Sequence, residues 1–379
     1  MMSGNGSATL LIGTRKGAFV LRSADRRTWT TDGPHFLGCD IHHMVRDPRD
    51  GTTVLMAIRT GHLGPTIQRS TDGGATWQEA ERPPAFAKGA DDTAPSVKNT
   101  FWLEPGHPSQ PNVWWAGTVP HALFRSPDGG VTWDEVPGLR TYIGSLPDAA
   151  VYIGETPGGA ITHSIRIDPR DARHLYVSLS GGGTFESPDE GATWKPLNKG
   201  VAVAFLPDGE PDYGHDPHCL VLHPANPDVL YQQNHCGIYR LDRSGDGDRW
   251  RRIGDNMPKD VGDIGFPMVP HPRHVDTVWV FPMDGTTVWP RTSPDGKPSV
   301  YRTTDGGESW HRQDAGFPRE QAYWTVLRQA MTSDADDPVG LYFGTTSGEV
   351  WGSRDEGASW SRIAGDLPYI QSVTVAGGT

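Results

Sequence analysis

One octapeptide recurs along the chain and constrains its fold more than any other feature. It runs from Ser70 to Trp77 as STDGGATW, from Ser126 to Trp133 as SPDGGVTW and from Ser187 to Trp194 as SPDEGATW. It returns from Thr303 to Trp310 as TTDGGESW and from Ser353 to Trp360 as SRDEGASW. Degenerate copies start at Ser23 and Ser244. The aspartate can accept hydrogen bonds from amides further along the same turn, and the glycine supplies a positive-φ position. The tryptophan then opens a new extended segment. Each copy therefore predicts a stapled turn between two strands, with a structural rather than a chemical role.

Upstream of each copy lie three extended segments bounded by turn signals. Around the third copy they read His163–Pro169, Leu175–Leu179 and Gly183–Glu186. The pattern predicts four antiparallel strands per unit, A to D, with the octapeptide between C and D. The A–B turns carry their own mark, at Asp47-Pro48, Glu104-Pro105, Asp168-Pro169, His223-Pro224 and His271-Pro272. Six complete units follow residue 40. The start of the chain supplies three more strands (Ala8–Gly13, Ala18–Arg22, Trp29–Thr31), and Gln371–Ala376 supplies one. Joined, they make a seventh unit and remove the last open sheet edges. The expected architecture is all-β: a seven-bladed β-propeller of four-stranded antiparallel blades, one domain over residues 1–379, closed by its two ends in one blade. The 47 glycines and 33 prolines among 379 residues argue against a helical bundle.

The octapeptide resembles the Asp-box, or BNR repeat, of sialidases, sortilin-type receptors and related propellers. The resemblance implies a propeller, with carbohydrate-active enzymes as its first functional expectation. It also implies that the Asp-box lies away from the active site. Sialidases of this kind have six blades, an Arg-Ile-Pro motif near the start, three arginines for a carboxylate, and a tyrosine–glutamate pair with an aspartate. This chain shows seven units and no such motif, which argues against a true sialidase. Glycosidases of the xyloglucanase type pair two propellers across a cleft; this chain has one.

Acidic residues outnumber basic ones 46 to 34, for a net charge of −12. That balance disfavours nucleic acid and anionic membrane surfaces as partners. The longest clean apolar run, Val201–Leu206, is too short to span a bilayer. No leader pattern is visible, and three cysteines (Cys39, Cys219, Cys236) do not make a disulfide framework. The expected compartment is the cytoplasm. The sequence says nothing of oligomeric state.

In this architecture the start of each A strand and each B–C loop share one face, and function is expected there. Counting six residues back from the A–B prolines gives His42, Asn99, His163, His218 and Phe266. Counting four back gives an apolar row. By period two the rows share a sheet face. The B–C loops add Arg59, His62, His121 and His235, with Arg15 from the closing blade. Three histidines with an open position are a catalytic metal pattern. The expected ligands are therefore His42, His163 and His218, with His121 or His235 as an extra, around one divalent ion such as zinc. An unmetallated histidine cluster and a plain polar channel remain open as alternatives. Substrate-binding candidates are Arg15, Arg59, Asn99, His43, His62 and Trp324. The long D–A loops over the same face supply acid–base candidates, Asp216, Glu155 and Tyr213. The expected function is a hydrolase or lyase on a polar, sugar-like or anionic small molecule. A non-catalytic binding or assembly propeller is the alternative.

Overall fold

Apolar alternation between turn signals yields strands here, and each run of four closes into its own sheet. The computed structural model describes residues 6–376 except 88–94, 150–152, 155, 207–209 and 287. It contains seven four-stranded sheets. Six are meanders whose first strands are Asp40–Arg46, Asn99–Pro105, Thr162–Asp168, Pro217–Leu222, Gly265–Pro270 and Val326–Ser333. The seventh takes its first strand, Ile370–Val375, from the far end of the sequence. That strand pairs antiparallel with Ala8–Thr14, in a register that sets Leu10 against Val375 and Ile12 against Val373. Gly17–Ser23 and Thr30–His35 complete the sheet. The fold is a seven-bladed β-propeller, as the repeat predicted. No helix among the described residues is long and apolar enough to cross a membrane.

Packing divides the molecule into two compact units. The sheets that start at Asp40, Asn99 and Thr162 bury tryptophans between them: Trp114 and Trp133 against Leu55 and Phe124, and Trp102, Trp115 and Trp194 against Val177 and Phe185. In the other unit, the closing sheet and the sheets that start at Gly265 and Val326 build a core on Leu10, Ile12, Trp279, Phe343, Trp351 and Trp360. Fully burying each such side chain is worth about 1.5–3 kcal/mol.

Each Asp-box is a hydrogen-bonded staple. In the second, Ser126 Oγ donates to Asp128 Oδ1 at 2.8 Å and accepts the Gly130 amide at 2.9 Å. The Thr132 amide and hydroxyl donate to the two Asp128 oxygens at 2.9 and 2.6 Å. The other four copies repeat these bonds. In the first copy, the Thr76 hydroxyl and amide hold the Asp72 carboxyl well below the usual carboxylate range.

Two features escape the sequence reading. The connection after the second box holds a helix, Gly138–Ser145, which buries Leu139 and sets Tyr142 edge-on to Phe185. The first strands are also not regular. Pairing slips between Thr100 and Trp102, between His163 and Arg166, and between Gly265 and Met268. A bulge breaks the two-residue alternation and re-aims the side chains beside it.

Candidate functional site

The best-built polar cluster lies where the chain enters the strand Pro217–Leu222. The preceding segment is tied down at several points. Asn198 Nδ2 donates to Asp212 O at 2.9 Å, and the Gly214 amide donates to Gly182 O at 2.7 Å. His215 Nε2–H donates to Val201 O at 3.1 Å. His163 Nε2–H donates to Pro217 O at 3.0 Å. The backbone that carries Asp216 and His218 is thus fixed on both sides.

Asp216 accepts the Gly181 amide on Oδ1 at 3.1 Å. Its Oδ2 lies 3.5 Å from Nε2 of His218, which is 4% exposed. Gly181 has φ +70°, and a Cβ there would stand 2.9 Å from Gly154 O, so the turn that presents this amide needs glycine. In the same sheet, the loop after the second strand, Val229–Asn234, carries His235. Its half-buried ring meets Trp289 edge-on, with centroids 3.7 Å apart.

Histidines expected beside His218 are placed differently. His163 is fully buried and spends both ring nitrogens inside the fold. With Nε2–H committed to a carbonyl, Nδ1 must accept the Ser164 hydroxyl, at 2.8 Å. Ser164 Oγ in turn accepts the Leu220 amide at 3.2 Å. Ser164 sits at φ 51°, inside the slipped stretch of pairing. Of the expected set His42, His163 and His218, His163 stands inside the slipped stretch as a brace between strands. His42 Nε2 lies 2.5 Å from Asn99 Nδ2, and its ring is 5.9 Å from Phe101. His121 is 9% exposed, and burial pushes its imidazole down to about 4.

Two substrate-binding candidates are core residues. His43 Nδ1 accepts the Leu103 amide at 3.0 Å, and its ring packs 4.9 Å from that of Trp102. Burial, with the Arg166 charge adding to it, pushes His43 down to about 3. Trp324 is 4% exposed and packs 5.1 Å from Trp351 and 5.6 Å from Phe317. Arg15, Arg59 and His62 are exposed, and the Arg15 guanidinium stacks 4.0 Å over the Tyr369 ring. Tyr213 donates its hydroxyl to Pro147 O and so staples two loops together. Glu155 lies outside the described residues.

The sequence reading missed Gly181 and Trp289. A signal for the first existed in the run Ser180-Gly-Gly-Gly183 between two strands. Nothing local marked Trp289 as a partner for His235.

The family model for the BNR/Asp-box repeat matches residues 68–79 and 301–312. Among curated relatives, a xyloglucanase of a Paenibacillus species is 29% identical over 250 residues, covering 64% of this chain and 18% of the relative. A xyloglucanase of Acetivibrio thermocellus is 27% identical over 304 residues, covering 71% of this chain and 32% of the relative. Among solved structures, the GH74 xyloglucanase of Xanthomonas campestris superimposes with a TM-score of 0.64 at 20% identity, over 94% of this chain and 52% of that one. The chain thus spans about half of that structure and a third or less of these two curated relatives.

Proposed function

We propose that this chain, an Asp-box (BNR) β-propeller, acts as a glycoside hydrolase on a glucan-type polysaccharide or its oligosaccharides. The observation that carries the reading is the similarity to xyloglucanases along 71% of the sequence, at 27% identity. The polar cluster supports the same reading. Glycoside cleavage uses a pair of carboxylic groups flanking the scissile bond, and Asp216, a carboxylate held in place by a backbone amide, can serve as one of the pair. A fixed carboxylate beside a nearly buried imidazole suits proton transfer.

The test is reducing-end release from xyloglucan, with cellulose, mixed-linkage glucan and sialyl-lactose alongside. Release from xyloglucan or another glucan supports the reading. It should fall by about a hundredfold or more in Asp216→Ala, given the typical contribution of one acid–base group. Asp216 contributes either by proton transfer or by holding another reacting group, so this variant locates the site without choosing between them. Binding of glucan without cleavage would contradict the hydrolase reading and leave a carbohydrate-binding propeller.

A further inference from the structure

We propose that His163 is a positioning residue for the Asp216–His218 pair, acting through the backbone that carries the pair, with Ser164 and Arg166 completing its grip. The inference rests on the glycosidase reading of that pair and deepens it. Four hydrogen bonds make the grip. His163 Nε2–H donates to Pro217 O at 3.0 Å, and the Ser164 hydroxyl donates to His163 Nδ1 at 2.8 Å. Ser164 Oγ accepts the Leu220 amide at 3.2 Å, and Arg166 Nε donates to Leu220 O at 3.2 Å. Arg166 is itself held, with its guanidinium 5.2 Å over the Trp102 ring and Nη1 donating to Glu104 at 3.1 Å.

A regular strand could not supply this grip. Successive side chains of a strand point to opposite faces, yet His163 and Ser164 both reach the strand Pro217–Leu222. They do so because pairing with Asp171–Leu179 slips between His163 and Arg166, and Ser164 stands at φ 51°. That conformation is costly for a residue with a Cβ. Bulges of this kind re-aim side chains beside active sites.

The grip brackets His218. It takes hold one residue before it, at the Pro217 carbonyl, and two residues after it, at both backbone groups of Leu220. With the backbone fixed and the ring 4% exposed, the 3.5 Å between His218 Nε2 and Asp216 Oδ2 is set by the fold. Proton transfer is sensitive to such spacing, and a displacement of about 1 Å can cost roughly a hundredfold in rate.

The experiment compares His163→Asn with His163→Gln in the full chain. A glutamine amide reaches as far as Nε2 and can donate to Pro217 O, whereas an asparagine amide stops near the place of Nδ1. On xyloglucan, His163→Asn should lose about tenfold or more in kcat at a KM within about twofold of the parent, and His163→Gln should recover to within about threefold. Ser164→Gly keeps the positive φ without strain and removes the hydroxyl. It should lower kcat in the same way, and it decides if His163→Asn fails to fold. A second readout needs no substrate. The side-chain nitrogen NMR signals of His218, assigned with His218→Gln, should move in His163→Asn and Ser164→Gly toward their positions in Asp216→Asn, and stay near the parent's in His163→Gln. Unchanged kcat and unchanged His218 signals in His163→Asn and Ser164→Gly overturn the proposal. So does a glutamine variant as impaired as the asparagine one. A parent that cleaves no glucan sinks the enzyme reading alone, and the His218 signals then decide the brace.

Discussion

At the residue scale, the same residue type carries opposite roles, and only surroundings separate them. His163 and His218 occupy one register position of two first strands, yet His163 is a fully satisfied brace and His218 faces a carboxylate. The register could be counted from the sequence; the bulge at Ser164 that re-aims His163 could not. The aspartates of the repeats were legible, because one turn motif fixes all their partners. Asp128→Ala removes the acceptor of the Thr132 amide and hydroxyl, and it should cost roughly 1–2 kcal/mol in denaturant unfolding. The buried histidines make a second prediction. His43 and His121 stay neutral in the fold, with values near 3 and 4, whereas unfolded imidazoles protonate near 6.5. The unfolded state then binds more protons below pH 6.5, so stability is full above that pH and falls as pH drops toward 4. The slope is up to about 1.4 kcal/mol per pH unit for each histidine. Urea unfolding at pH 7, 6 and 5 measures it, and a flat profile would contradict the burial of these rings.

At the scale of elements, the closing strand is the test of the architecture. Gln371–Ala376 reads from the sequence as a lone strand without a unit of its own, and the strand found there, Ile370–Val375, pairs with Ala8–Thr14. Its removal would strip Leu10 and Ile12 of their partners and leave a long strand edge unpaired. Deletion of residues 370–379 should therefore abolish cooperative unfolding of the closing sheet, read as loss of protection in amide exchange for Leu10 to Ile12. Native-like protection in the truncated chain would show that the pairing contributes little. Other elements were less legible. The helix Gly138–Ser145 has no side-chain cap and only one buried residue, Leu139, so its eight residues carry little signal. The long loops stand out in the sequence by their length alone. Their ties, such as the Gly214 amide on Gly182 O, are backbone bonds that no residue pattern announces.

At the scale of the whole molecule, the two ends of a blade differ. In a four-stranded meander, the turn between the third and fourth strands lies opposite the start of the first. Asp-boxes occupy the former, and the pair Asp216 and His218 stands beside the latter. The repeat made the fold legible because it recurs; the pair Asp216 and His218 occurs once, and the chain-distant Gly181 amide holds it. The most direct measurement is the initial rate of reducing-end release from xyloglucan per folded molecule, with the melting temperature, for Asp216→Ala and Asp128→Ala side by side. Asp216→Ala should lose about a hundredfold in rate at a nearly unchanged melting temperature, while Asp128→Ala should melt about one to three degrees lower and keep its rate. Loss of rate in Asp128→Ala, with Asp216→Ala as active as the parent, would contradict these roles.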